Sequence, residues 1–516
     1  MRANWSDGYF TEVGYTHGYY RELSPALQRF CLLLRGIAPL QSESPAHCEL
    51  GFGQGVSINV HAATTPGVYV GTDFNPEQAA SAISFAQAAG SQARLYDDSF
   101  AQLLARTDLP QFDSISLHGI WSWISHENRQ IIVEFVSRYL KPGGVLYVSY
   151  NCLPGWSHAA PLRHLFSLRD RFSGASERPA TDRVGDAIEF ATQLLAAKPK
   201  YAAATPGLDE RLQKIASQDR HYLAHEYFNG EWHVGYFSDV VDAFAAAKVE
   251  YAAPAQPIDS MDALHIGAEG QAFLATIANP VMREQARDYF VNQQFRRDLF
   301  VRGARRLSAA ERHAALLAQR FTLTVTADKV KWTLPVGGGS AELNQSVYRP
   351  VVEVLASNAY AGKSLREIAE AVESASVSNS QASEAITVLV GMGVVSPCQT
   401  EAETASRRKS AQKLNESLMR HAFYHENIAV LASPVTGGAI NVDRFSKLFL
   451  LARINKYKDP VAYAWSALQA SNQRLKSGDV IRTTPEENIA DLRERFQIFE
   501  QSMLPLLKAH AIFDGR

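Results

Sequence analysis

The stretch Glu49-Leu50-Gly51-Phe52-Gly53-Gln54-Gly55 sets an acid and three alternating glycines between an apolar run and an amphipathic one. Glycine lets the backbone turn tightly and come close to a ligand. A following helix presents unpaired N–H groups at its positive end. Such a turn can hold a dinucleotide or S-adenosylmethionine. The dinucleotide fingerprint asks for a small residue three places after the second glycine, and Val56 stands there instead. Further on, Asp73 ends Tyr69-Val70-Gly71-Thr72-Asp73, where a carboxylate can accept both hydrogen bonds of a ribose diol. Asp97 and Asp98 follow a third short apolar run. An acid there, Asp98 ahead of Asp97, can accept from an adenine amino group, while Asp98 or Ser99 can equally cap the next helix. The expected cofactor contacts are therefore Glu49, Gly51, Gly53, Gly55, Asp73, Asp97, Asp98 and Ser99, with His118 as a further contact or a base.

These residues need a scaffold that brings strand ends together. Apolar runs at His47–Leu50, Val68–Asp73, Arg94–Tyr96, Ser114–Leu117 and Val145–Tyr150 predict strands. The helical stretches Val56–Ala63, Pro76–Ala89, Phe100–Arg106 and Glu127–Leu140 lie between them, and Lys141-Pro142-Gly143-Gly144 stops the last. Strands alternating with helices of this length predict βαβ units and a parallel sheet. In such a fold the ligand lies outside the carboxyl ends of the strands. That places His118–Trp123 and Tyr150–Trp156 beside the acceptor. The expected catalytic set is Tyr150, Asn151, His118 and Trp121: oxygens to orient an amine, a histidine, and an aromatic face for a cation. Trp123 is balanced between that role and core packing. A lysine acceptor must lose its proton, and burial lowers its pKa. No dedicated base is required on that account, and the sequence offers no obvious one.

The remainder of the chain is less specific. Residues 1–44 read as a cap segment, with Tyr9, Tyr15, Tyr19 and Tyr20 ahead of the sheet and Arg21 placed to meet the cofactor's methionine carboxylate. The sheet domain spans 45–155, a helical middle domain 156–310, and a winged-helix-like, then helical, C-terminal region 311–516. In that last part Phe321–Val325 and Val330–Leu334 predict a hairpin before the loop Gly337–Ser340, and Pro434–Gly438 a turn. The 516 residues allow about three domains. A net charge of −2 argues against nucleic acid and anionic membranes. Four scattered cysteines exclude a disulfide framework and fit a reducing compartment. No apolar run is long enough to span a bilayer, and the N-terminus lacks the pattern of a signal peptide, so the expected location is the cytoplasm. His221 and His225 share a helix face beside Glu226, but Asn229 stands where H-E-x-x-H needs its second histidine, so no metal is expected. Arg296, Arg297, Arg302, Arg305 and Arg306 read as a basic helix stretch whose face is solvated or lies between domains, with a contact to acidic protein or nucleic acid as the alternative.

Taken together, the glycine loop, the Gly71-Thr72-Asp73 acid, Asp97-Asp98, Phe112-Asp113-Ser114-Ile115 and Lys141–Val145 resemble the class I S-adenosylmethionine-dependent methyltransferases over residues 45–150. Leu117–Ile124, Ser149–Trp156, Tyr222–Phe228 and Gln294–Arg297 are similar to a bacterial family of large methyltransferases with a methyltransferase regulatory domain, among them the rickettsial-type protein lysine methyltransferases that act on outer-membrane proteins. The resemblance implies a Rossmann-like α/β domain, S-adenosyl-L-methionine as cofactor, and a protein lysine as acceptor. A small-molecule or glycan acceptor, or a non-catalytic scaffold that only binds the cofactor, are the alternatives. The C-terminal helices are also suited to joining two copies in a homodimer.

Overall fold

The computed structural model describes residues 9–12, 14–173, 177–336, 339–477 and 480–514. Its centre is a seven-stranded sheet: β1 (Ala46–Leu50), β2 (Val68–Thr72), β3 (Arg94–Tyr96), β4 (Phe112–Leu117), β5 (Leu140–Asn151), β6 (Glu250–Pro254) and β7 (Phe295–Val301). The spatial order is β3-β2-β1-β4-β5-β7-β6. The first five strands run parallel, while β7 is antiparallel to both β5 and β6. Helices α1 (Pro25–Leu34), α2 (Val56–Thr64), α3 (Pro76–Ala89), α4 (Phe100–Ala105) and α5 (His126–Tyr139) precede or link these parallel strands. β4 is buried along its whole length, as a central strand covered on both faces must be. Ile115 and Leu117 of β4 and Leu146 and Val148 of β5 are fully buried, each worth about 1.5–3 kcal/mol of transfer free energy. Asp113 fastens the strand ends, accepting from the Ala46 N–H at 2.8 Å and from Lys141 Nζ at 2.6 Å.

The segment expected to be a separate helical middle domain divides in two. Helices α6 (Ala160–Phe172), α7 (Ala180–Ala196), α8 (Lys200–Ala203), α9 (Leu208–Ala216) and α10 (Arg220–Phe228) are inserted after β5. They enclose their own core of Leu162, Phe166, Val184, Leu212 and Leu223. The chain then returns to supply β6 and β7, so the sheet does not close at residue 155. The arginine-rich stretch is therefore not a solvated helix. It begins in β7, where strand alternation sends Arg296 and Arg297 to opposite faces. Arg296 is buried against Asp298 at 2.7 Å and Asp288 at 2.5 Å, and Arg297 meets Glu22 at 2.8 Å.

In the C-terminal region, helices Gln345–Tyr360, Leu365–Val372 and Asn379–Gly391 pack on a small sheet in which Arg320–Leu323 lies between Lys363–Ser364 and Val395–Pro397. This is the winged-helix-like unit, but its hairpin differs from the expected one. Arg320–Leu323 is the middle strand, with Phe321 and Leu323 fully buried, and Thr333–Val336 pairs instead with Gly339–Glu342. Residues 337–338 of the expected glycine loop lie outside the described residues. The turn expected at Pro434–Gly438 is present, and it joins a hairpin of Val430–Ser433 and Gly438–Asn441 in a stretch expected to be helical. The long helix Glu401–His421 packs on α2 and α3, its Leu414 and Leu418 sharing a core with Val56, Val60 and Ala89. Among the described residues no helix is long and apolar enough to cross a membrane.

Candidate active site

The glycine turn leaves β1 with Gly51, Gly53 and Gly55 all in the left-handed region, at φ 74°, 56° and 75°. Their reasons differ. A Cβ on Gly51 would fall 2.2 Å from Ile120, and one on Gly55 2.2 Å from Ala82. Gly55 caps α2 and packs against α3 without lining the cavity below. Gly53 does line it, and its N–H donates to Asp73 Oδ2 at 2.8 Å. The Asn75 N–H donates to the other Asp73 oxygen at 3.1 Å. Asp73 is thus held at the end of β2 with its carboxylate turned toward the glycine turn.

Three neighbouring cavities share walls at this edge of the sheet. The first, about 60 Å³, is bordered by Glu49, Gly51, Gly53, Asp73, His118 and Glu226. Tyr9, Tyr15, Gly18 and Tyr20 of the N-terminal segment cover it. The second, about 110 Å³, has apolar walls of Phe74, Phe100, Ile120, Trp123 and Ile124, with Asp98 and Ser99 at its edge. Asp98 is also ion-paired with Arg106. Ser99 caps α4, accepting from the Gln102 N–H at 3.3 Å. Asp97 is exposed and lines none of the three cavities. The third cavity, about 420 Å³, lies beyond His118, Gly119 and Trp123, against α9 and α10.

Burial pushes the Glu49 carboxyl up to about 8, with the nearby Asp73 charge adding to it. Burial pushes Asp73 up to about 7 against the pull of the Asn75 and Gly53 N–H groups. Buried carboxylates without a cation favour a ligand that brings hydroxyl donors and positive charge. A ribose diol and a sulfonium supply both, and the apolar second cavity suits an adenine ring. The residues present therefore fit S-adenosylmethionine.

On the acceptor side the sequence expectations separate. Strand alternation along β5 puts Tyr147, Ser149 and Asn151 on the pocket face and Tyr150 on the other. The Tyr150 hydroxyl donates to Asp298 at 2.6 Å inside the Arg296 cluster, so Tyr150 does not reach the pocket. Asn151 lines the third cavity. Tyr147, which sequence reasoning missed, meets His118 Nδ1 at 2.8 Å, and Ser149 Oγ accepts from the Gly119 N–H at 2.7 Å. His118 stacks on Tyr20, with ring centroids 3.8 Å apart. Burial lowers its pKa to about 4, so it is a neutral wall near pH 7 and a weak base. The turn Trp121–Trp123 reverses the expected emphasis. Trp121 is buried against Phe244, with centroids 4.6 Å apart, while Trp123 borders all three cavities. Arg21 is turned away from the cofactor, its Nη2 donating to Gln256 Oε1 at 2.9 Å and to the Gly391 carbonyl at 3.0 Å.

The structure adds Glu226, at the wall between the first and third cavities. Arg163 on α6 fixes the end of α10 by donating to the Glu226 backbone carbonyl at 2.9 Å and the Asn229 carbonyl at 3.1 Å. Burial pushes the carboxyl itself up to about 7, against the pull of Arg163 and Tyr222. His221-Tyr222-Leu223-Ala224-His225-Glu226 drew notice in the sequence only for its histidine spacing. Among the described residues no three His, Cys, Asp or Glu side chains are grouped to hold a metal.

Residues 48–148 match the family model described as "Methyltransferase domain", and residues 219–302 match "Predicted methyltransferase regulatory domain". Protein sll1526 of Synechocystis sp. is 36% identical over 507 residues, covering 98% of each chain. Protein RP789 of Rickettsia prowazekii is 27% identical over 307 residues, covering 56% of this chain and 52% of that one. The solved structure of PKMT2 from Rickettsia typhi in complex with AdoHcy has the same fold, with a TM-score of 0.69 at 18% identity, covering 97% of this chain and all of that one. The chain belongs to the class I S-adenosylmethionine-dependent methyltransferases that carry a methyltransferase regulatory domain.

Proposed function

We propose that this methyltransferase modifies the ε-amino group of lysine side chains in a protein substrate. The observation that carries the reading is the third cavity: it adjoins the cofactor cavity and is ringed by Tyr15, Tyr20, Trp123, Trp156, Tyr222 and Tyr227. Aromatic faces attract an ammonium group, at about 2 kcal/mol or more when desolvated. S-adenosylmethionine supplies an activated methyl on a sulfonium. Asp73 is assigned to the ribose, the Phe74–Phe100 cavity with Asp98 to the adenine, and Glu49 to the cationic end. The Tyr9–Tyr20 segment excludes water from above. His118, fixed by Tyr147 and Tyr20, and Asn151 shape the passage through which an acceptor nitrogen meets the methyl in line. Such positioning supplies on the order of 7–11 kcal/mol of a barrier.

The cavity's volume of about 420 Å³ also suits a small molecule or glycan. Transfer of labelled methyl from S-adenosylmethionine into a lysate split by size separates the two. The expected result is label in the protein fraction, recovered as methyl-lysine after acid hydrolysis. Label confined to the small-molecule fraction, or lost from protein in mild base as from a methyl ester, contradicts the lysine reading. The four free thiols support a reducing compartment such as the cytoplasm as its location.

A further inference from the structure

We propose that Glu226, carried by the regulatory helix α10, is the group that takes the proton from the acceptor ammonium. This role rests on the amine-acceptor reading above. Among the described residues Glu226 is the only carboxylate that borders both the first and the third cavity. The wall between the two cavities is shared by Glu226 with Tyr15, Tyr20, His118 and Trp123, so a nitrogen passing from the third to the first moves along it.

Its surroundings leave the carboxylate available. Arg163, whose charge acts on the carboxyl, bonds the backbone carbonyl of Glu226. Tyr222, one turn back on the same helix, lines the third cavity beside it. Across the cavities stand Tyr9, Tyr15, Tyr20 and neutral His118, with Glu49 and Asp73 on the cofactor side and Arg211 and Lys214 farther out in the third cavity. A carboxyl that titrates near neutrality is matched to accepting a proton at working pH. Arg163 and Tyr222 stabilise the charged form while burial opposes it.

The step balances. The R–NH₃⁺ group gives a proton to the Glu226 carboxylate, leaving R–NH₂ and a neutral carboxylic acid. The freed lone pair forms the N–C bond as the C–S bond breaks, and that electron pair stays on sulfur. The product is a methylammonium and a neutral thioether, and the Glu226 proton leaves to solvent through the third cavity. A domain matched as regulatory would thus complete the catalytic site.

Two measurements on the full chain test this. The first compares labelled-methyl transfer to lysate protein by wild type, Glu226→Gln and Glu226→Asp between pH 6 and 9.5. Wild-type rate should rise through pH 7 and level off. Glu226→Gln should be ~100-fold or more slower at pH 7, with the deficit shrinking at least tenfold by pH 9.5, where more acceptor lysine is already neutral. Glu226→Asp should fall between the two. A deficit that stays constant with pH marks a merely structural role and overturns the proposal. The second measurement titrates n-butylamine, with n-butanol as control, into protein loaded with S-adenosylhomocysteine. Wild type should favour the amine, and Glu226→Gln should bind it at least tenfold more weakly. Equal amine binding by the two overturns the proposal. A wild type that prefers n-butanol and labels only oxygen or sulfur overturns the amine reading itself. That result is distinct from losing the pH rescue while amines are still labelled.

Discussion

The floor of the cofactor side is drawn from residues 49–124 at four neighbouring strand ends, beneath Tyr9, Tyr15 and Tyr20, whereas the acceptor side takes Tyr15, His118, Asn151, Trp156, Glu226 and Phe295 from segments far apart in the chain. On the first side each element lies next in sequence to the one it contacts. The turn follows β1, Asp73 follows β2, and Asp98 follows β3. On the second side an N-terminal segment, two strand-end turns and an inserted helical unit meet only because the sheet brings them to one edge. The first kind of site is carried by local spacing and backbone conformation. The second depends on where α6–α10 dock, and the edge-on packing of Tyr15 against His225 of α10, with ring centroids 5.0 Å apart, is one visible part of that docking.

The sharpest way to probe this contrast is the tryptophan pair, two residues apart on one turn. Trp121→Ala removes a buried ring from the core under Phe244 and should cost about 3–5 kcal/mol of stability, read as a lower midpoint in urea unfolding. Trp123→Ala should lose most of its transfer activity with a much smaller shift in that midpoint. Matching stability losses in the two would erase the distinction between core and cavity wall. Next in size, Tyr150→Phe deletes the hydroxyl that donates to Asp298. It should cost about 1–3 kcal/mol of stability and leave turnover per folded molecule unchanged. A fall in turnover without a loss of stability would return Tyr150 to the acceptor side.

The smallest expected effect is a fraction of a proton. Glu49 at about 8 and Asp73 at about 7 lie above their unfolded values, near 4. For such raised carboxyls the protonated form favours the folded state. Their contribution is complete below about pH 4 and is lost as pH rises through 7 to 8. The cofactor-free protein should therefore lose this part of its stability progressively between about pH 4 and 8. A bound sulfonium cation pulls both pKa values down, so S-adenosylmethionine binding should release protons near pH 7 and tighten with pH. S-adenosylhomocysteine, which lacks that charge, should show less of both. Calorimetry in two buffers of different ionisation heat measures the release, and proton uptake or equal pH slopes would contradict the assignment of Glu49 to the cationic end.

The same contrast accounts for what was legible beforehand. The first five strands and the helices between them follow their apolar periodicity to within a few residues, and the turn with Asp73 was readable from spacing alone. Period-two alternation in β5 was equally present in the sequence. Applied strictly, it separates Tyr150 from Asn151 and puts Tyr147 in the latter's company. What local pattern does not carry is long-range pairing. β7 joins β5 across some 140 intervening residues, and its arginines read as a helix face because their partners, Asp288 and Glu22, lie on other elements. Glu226 went unassigned as a base for the same reason, since its proximity to the cofactor cavity depends on the docking of α10.

The most direct test of the two-sided account is S-adenosylhomocysteine affinity measured by calorimetry on Asp73→Ala and Glu226→Gln in parallel, both checked for folding by circular dichroism. The neutral thioether removes any long-range charge effect of Glu226 on a sulfonium. The account predicts a loss of ~100-fold, about 2.7 kcal/mol, for Asp73→Ala, in line with two hydrogen bonds to a charged group. It predicts an affinity within about threefold of wild type for Glu226→Gln, a difference under 1 kcal/mol. Comparable losses in both variants, or none in Asp73→Ala, would contradict it.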